Sequence, residues 1–131
     1  MIIAFTALVS AQTFAPVNTN FTFAGSMYIS APNLRVLNCP ISGSGTVNGA
    51  GKVKITSVTA CVAATNLPWA WAATGPALAK GKVSFSANGT DCTTNDQLYV
   101  SGGVFTFTDN GRSICTINGD VLTTPTVRIV P

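Results

Sequence analysis

The chain has 131 residues, room for one ordinary domain, with 7 Lys+Arg against 4 Asp, no Glu and no His, for a net charge of +3. Charged residues make up 8%, against about 25% in an average soluble domain. Without histidine there is no imidazole base, no Ser-His-Asp or Cys-His constellation and no His-containing zinc site.

The chain is rich in Thr, Val, Gly and Asn, while Glu, a staple of soluble helices, is absent. That mixture reads as strands joined by tight turns. In chain order, residues 1–11 (MIIAFTALVSA) hold a short apolar run ending in Val9-Ser10-Ala11. They read as a signal-peptide-like segment cut before Gln12, although the usual basic start is missing. The alternative is a buried N-terminal strand. No stretch approaches the roughly 20 apolar residues that a spanning helix needs. Residues 12–20 form a linker-like lead with Pro16, and residues 21–131 read as a single β domain.

Phe21, Phe23, Gly25, Met27 and Ile29 alternate with polar or small residues, the period of a half-buried strand. Ala31-Pro32-Asn33 turns the chain into a second strand over 34–39. Residues 42–51 carry four glycines and read as a loop or a short broken edge strand. In 52–59, Val53 and Ile55 oppose Lys52, Lys54 and Thr56, and the slip at Ser57-Val58 predicts a bulge. Leu67-Pro68-Trp69-Ala70-Trp71 starts an extended segment behind a proline, and 74–80 is a turn or one helical turn. Further strands are expected over 82–87, 98–100, 104–108, 113–117 and 126–130. Asn88-Gly89, Asp109-Asn110-Gly111 and Asn118-Gly119 are turn signals. An internal echo, Gly51-Lys52-Val53-Lys54-Ile55-Thr56 with Gly81-Lys82-Val83-Ser84-Phe85-Ser86, fits either duplicated units or chance among Thr/Val/Gly strands. About eight strands with one apolar face each and no helix to cover them predict an all-β fold, a disulfide-linked β-sandwich or a partly closed β-barrel.

Cys39, Cys61, Cys92 and Cys115 lack Cys-x-x-Cys spacing. Three pairings exist, and the sequential ones, Cys39 with Cys61 and Cys92 with Cys115, each close a strand-turn-strand unit. Four reduced cysteines in a cytosolic protein are the rival. Asp91, Asp96, Asp109 and Asp120 are the only carboxylates. Asp109 and Asp120 fall in turn-like contexts, while Asp91 and Asp96 flank Cys92, where a calcium site lacks defined ligand spacing. No catalytic residue, metal or cofactor is expected. Trp69 and Trp71 share a face, so they either pack in the core or form an exposed platform for sugars or apolar ligands. The lysine pairs Lys52/Lys54 and Lys80/Lys82 are separated in sequence and read as solvent-facing strand positions, not a nucleic-acid stripe.

Phe14, Phe21 and Gly25, then Leu37-Asn38-Cys39, Ile55-Thr56-Ser57, Leu67-Pro68-Trp69, Ser101-Gly102-Gly103, Cys115-Thr116-Ile117 and Thr124-Pro125-Thr126-Val127-Arg128-Ile129-Val130-Pro131, resemble in order the activator of alkane oxidation family, the PraB-like proteins. The resemblance implies a small exported bacterial protein tied to growth on hydrocarbons, with no catalytic residues to carry over. Two roles follow. One is a secreted or cell-surface structural or adhesive protein whose partners are its own copies or other surface components. It would assemble by strand addition through an apolar segment containing Phe14, Phe21, Phe23, Met27 and Ile29. The other is a secreted module that binds hydrocarbon or surfactant.

Overall fold

The computed structural model describes residues 12–31, 34–87, 89–108 and 115–131. The signal-like segment 1–11, the turn residues Pro32 and Asn33, Asn88 and the Asp109-Asn110-Gly111 turn lie outside the described residues. Eleven strands are described: β1 (Thr13–Ala15), β2 (Thr19–Ala31), β3 (Leu34–Val47), β4 (Val53–Thr59), β5 (Ala63–Ala64), β6 (Trp69–Ala73), β7 (Leu78–Ala87), β8 (Thr90–Ser101), β9 (Val104–Thr108), β10 (Thr116–Thr124) and β11 (Arg128–Val130). Hydrogen bonding runs β7-β6-β4-β3-β2-β10-β9-β8 and returns to β7. The all-β expectation is met, and of its two alternatives the structure takes the barrel, eight-stranded, antiparallel and closed.

Period-2 alternation explains which residues face the lumen. Phe21, Phe23, Met27 and Ile29 of β2, Val53 and Ile55 of β4, Val83 and Phe85 of β7, and Phe105 and Phe107 of β9 are buried. An eight-stranded barrel is just wide enough for side chains to fill it. Here the filling is aromatic: Trp71 meets Phe107 edge-on at 5.5 Å, and Phe105 meets Phe21 at 6.1 Å and Phe14 at 5.9 Å between ring centroids.

Glycines make room for these rings. Gly43 and Gly45 pair across the ladder with Phe23 and Phe21. A Cβ at Gly45 would sit 2.8 Å from the Phe21 ring, and one at Gly43 would sit 2.5 Å from the Phe23 ring. Residues 42–47 are therefore the second half of β3, laddered to both neighbours, and not a loop. The same device operates at Gly81, where a Cβ would run into the Trp71 indole and the Ala70 carbonyl.

Asn118-Gly119 also departs from its turn-like reading: both residues lie inside β10, laddered to β2. Asp120 follows them in the same strand, so its turn role is corrected as well. Residues 74–77 form a turn without a helix. The expected slip in β4 is present: the register shifts between Ser44 and Gly45, leaving Thr56 as the extra residue. Gly102 and Gly103, both at positive φ, make the two-residue turn between β8 and β9.

The lead 12–20 is not a free linker. β1 pairs with β11, the Phe14 amide donates to Gly51 O at 2.8 Å, and the Phe14 ring is fully buried against Phe105. Thr123 ties this end together, its hydroxyl donating to Gly103 O at 2.7 Å and accepting from the Val127 amide at 3.0 Å. The disulfides are Cys39–Cys61 and Cys92–Cys115, the sequential pairing, and no described cysteine is free. Each restricts the unfolded chain and stabilises the fold by about 2–4 kcal/mol.

Replacing Gly81 by Val should lower stability by about 1–3 kcal/mol, because neither the Trp71 ring nor the Ala70 carbonyl can retreat in a filled lumen. Gly75→Ala, whose Cβ meets only Leu78 at an ordinary 3.7 Å, should stay within about 0.5 kcal/mol. Urea midpoints of the two variants read the contrast, and equal midpoints would contradict the ring-over-glycine packing.

Candidate functional site

The sequence-predicted site residues fall mostly inside the barrel. Trp69 and Trp71 share a face, and that face is the lumen, with 4% and 1% of their surface exposed. The exposed-platform alternative is therefore corrected: both rings are core. Phe14, Phe21, Phe23, Met27 and Ile29 are likewise buried. β2, which carries four of them, is already paired to β3 on one side and β10 on the other, so it is not free to be donated to a neighbour. β3 does extend past β4 over 34–41, where Leu37 is exposed. That short edge carries Arg35, Pro40 and the Cys39–Cys61 bridge, devices that discourage strand addition.

Asp91 is exposed on β8 opposite Ser86, whereas Asp120 is exposed on β10. Asp96 sits in the same strand as Asp91, with its side chain outside the described part. Residues 90–101 form one strand laddered to β7 and, over 97–101, to β9, so no loop is present there to wrap a calcium ion. Among the described residues, no group of three His, Cys, Asp or Glu side chains could hold a metal.

What the outer wall does carry is an open groove of about 980 Å³. It arises because β7 pairs with β6 over 79–81 and with β5 over 85–86 on the same edge. Between them the edge is bridged by the connection 65–68. The Thr65 amide donates to Ser84 O at 2.9 Å, and the Trp69 indole N–H, reaching back from the core, donates to Thr65 O at 2.8 Å. Asn66, at positive φ, turns the chain. Ser84 points outward from β7 yet is only 2% exposed beneath this connection. Its hydroxyl lies 2.6 Å from that of Thr65 and 2.9 Å from that of Thr93, and it accepts from the Asn66 amide at 3.0 Å. Around this hydroxyl cluster the groove is lined by Ala70, Lys80, Lys82 and Gln97. Its described lining offers hydrogen bonds and positive charge.

A second feature crosses the wall diagonally. Leu122 on β10 is 56% exposed and lies opposite Val104 on β9. Tyr99 on β8, 50% exposed, is diagonal to Val104 and directly opposite Leu78 on β7. The four make an apolar stripe about 14 Å long across three strand spacings. Elsewhere the outward positions are mostly Thr, Ser, Asn and Lys, the inverse of a lipid-embedded barrel, whose apolar band faces outward. No described helix is long and apolar enough to cross a membrane.

Compared with known protein families, the chain matches the alkane oxidation protein activator PraA/PraB-like family over residues 1–131. The chain belongs to that family. Neither the curated proteins nor the solved structures provide a match. As a PraA/PraB-like protein it is tied to the activation of alkane oxidation, and the family description is that of an activator. The order of short motifs noted in the sequence is the signal that pointed to it. Sequence reasoning missed the Ser84 cluster, because Ser84, Thr65, Asn66 and Thr93 converge only through the β5-β7-β8 pairing.

Ser84→Ala should remove the hydroxyl that Asn66, Thr65 and Thr93 share, costing about 0.5–1.5 kcal/mol, since Asn66 and Thr93 are exposed and can turn to water. Hydrogen exchange of the Thr65 amide should quicken by more than that of barrel amides such as Val53. Unchanged exchange at Thr65 would show that the cluster does not hold the connection in place.

Proposed function

We propose that this protein is a non-enzymatic adhesive component, secreted or at the cell surface, that supports alkane use by holding to an apolar phase through its outer wall. The observation that carries this reading is the stripe of Leu78, Tyr99, Val104 and Leu122, contiguous across four strands, whereas the exposed Val17, Leu37 and Leu67 lie on other parts of the chain. A contiguous exposed apolar patch rimmed by polar residues is the usual form of an interaction surface. Family membership supplies the link to alkanes, and the two disulfides suit an oxidising compartment. The barrel closes its own strands, so attachment falls to side chains of the wall and self-assembly by N-terminal strand donation is dropped from the reading.

A second reading is a soluble module that carries hydrocarbon or surfactant. The aromatic-filled lumen favours outer-wall binding here too, so this module would use the same stripe. The two differ in where the protein stays: an adhesive component remains with the cell surface or matrix, whereas a carrier is recovered free in the medium.

Adsorption to a hexadecane–water interface, followed by interfacial tension, tests the common element. Tyr99→Ser combined with Leu122→Ser should weaken adsorption about tenfold or more while leaving the fold intact, since both side chains face solvent. A double variant that adsorbs like the parent would sink both readings, and protein found only in the cytosol would sink the extracellular setting.

A further inference from the structure

The two lysine pairs, separated in sequence, become one surface in the barrel. β6 lies between β4 and β7. Lys54 of β4 pairs with Ala70 of β6, and Ala72 of β6 pairs with Lys80 of β7. Lys82 follows Lys80 on the same outward face, and Lys52 precedes Lys54 in the same way. All four lysines of the chain are thus exposed along the two sides of β6. The rows stand about 9.6 Å apart, two strand spacings, with the small side chains of Ala70 and Ala72 as the floor between them. The result is a basic trough without bulky obstruction.

Nothing described neutralises it. No described side chain forms an ion pair with any of the four ammonium groups. Asp120 is on β10, across the barrel from β6. Asp91 lies opposite Ser86, beyond the groove end of β7, and Asp96, opposite Gly81, has its side chain outside the described part. At Lys80 and Lys82 the trough opens into the groove that holds Asn66, Ser84, Thr93 and Gln97.

We infer that this trough is a binding site for an anionic polysaccharide of the polyuronate class. Regular carboxylates along an extended chain match two rows of ammonium groups, and the neighbouring hydroxyl and amide groups suit sugar hydroxyls. Single-stranded nucleic acid would instead call for exposed aromatic rings on which bases stack. Trp69 and Trp71 of β6 face the lumen, and the one exposed ring nearby, Tyr99, stands on β8 outside the lysine rows, a single ring being too few to stack successive bases. The site goes beyond the apolar attachment proposed above and uses different residues, so each can fail without the other.

Binding of the full chain to alginate, with neutral dextran, single-stranded DNA and anionic phospholipid vesicles as comparisons, tests it at low and at physiological salt. Alginate should bind in preference to all three, and binding should weaken as salt rises. The Lys54→Gln, Lys80→Gln, Lys82→Gln triple variant should lose about tenfold or more in alginate affinity, with an unchanged near-UV spectrum and unchanged hexadecane adsorption. A loss of hexadecane adsorption in Tyr99→Ser, Leu122→Ser with alginate binding retained would keep the two sites distinct. No measurable alginate binding at low salt, tighter binding of DNA or vesicles, or equal affinity in the triple variant would each overturn the inference.

Discussion

A closed barrel must fill its lumen, and this chain fills it with rings that lie over glycines on neighbouring strands. Phe21 over Gly45, Phe23 over Gly43 and Trp71 against Gly81 are three instances of one constraint. Large and small residues must alternate around the circumference, because the space each ring takes is space its neighbour cannot occupy. Burying such side chains stabilises the fold by about 1.5–3 kcal/mol each, and among the described residues no helix shares that work. Its β1–β11 ribbon is an extension of the same packing, since Phe14 joins the ring stack through Phe105.

Filling the lumen in this way moves function outward. Small barrels that hold a ligand leave interior space for it, whereas here Trp71 meets Phe107 and Phe21 meets Phe105 across the inside. The groove and the apolar stripe are both outer-wall features. The disulfides work at the margins of this arrangement. Cys39–Cys61 secures the part of β3 that outruns β4, and Cys92–Cys115 ties β8 to the approach of β10.

Local alternation made β2, β4 and β9 legible in the sequence, because each carries its own apolar face at period 2. It failed for 42–47, where the lumen-facing residues are Gly43, Gly45 and Val47. The apolar groups that justify those glycines, Phe23 and Phe21, sit on β2, far back along the chain, and a linear reading cannot see them. Asn118-Gly119 failed for a related reason: its turn chemistry is real, but cross-strand packing against β2 overrides it. The tryptophans were correctly paired on one face, while the choice between lumen and surface needed the barrel. The echo between 51–56 and 81–86 reflects a shared register: Val53 and Ile55, like Val83 and Phe85, point in, and Lys52 and Lys82 point out. Similar demands on equivalent strands account for it without any need for duplication.

That shared register also explains why charge scarcity does not mean charge dispersal. With 8% charged residues, an even spread would leave each wall nearly neutral. Instead β4 and β7 both alternate lysine outward with apolar residues inward, and both flank β6, whose own outward residues are alanines. The apolar stripe begins on the same strand, at Leu78, two residues from Lys80. A rigid barrel fixes the spacing between them, so a hydrated polyanion on one wall and an apolar surface on the next need no conformational change to be engaged together. On the reading proposed above, such bridging would bring hydrocarbon and an anionic matrix into contact. The physical requirement is only that the two walls remain chemically different, which the polar and uncharged Thr, Ser and Asn positions elsewhere on the barrel maintain.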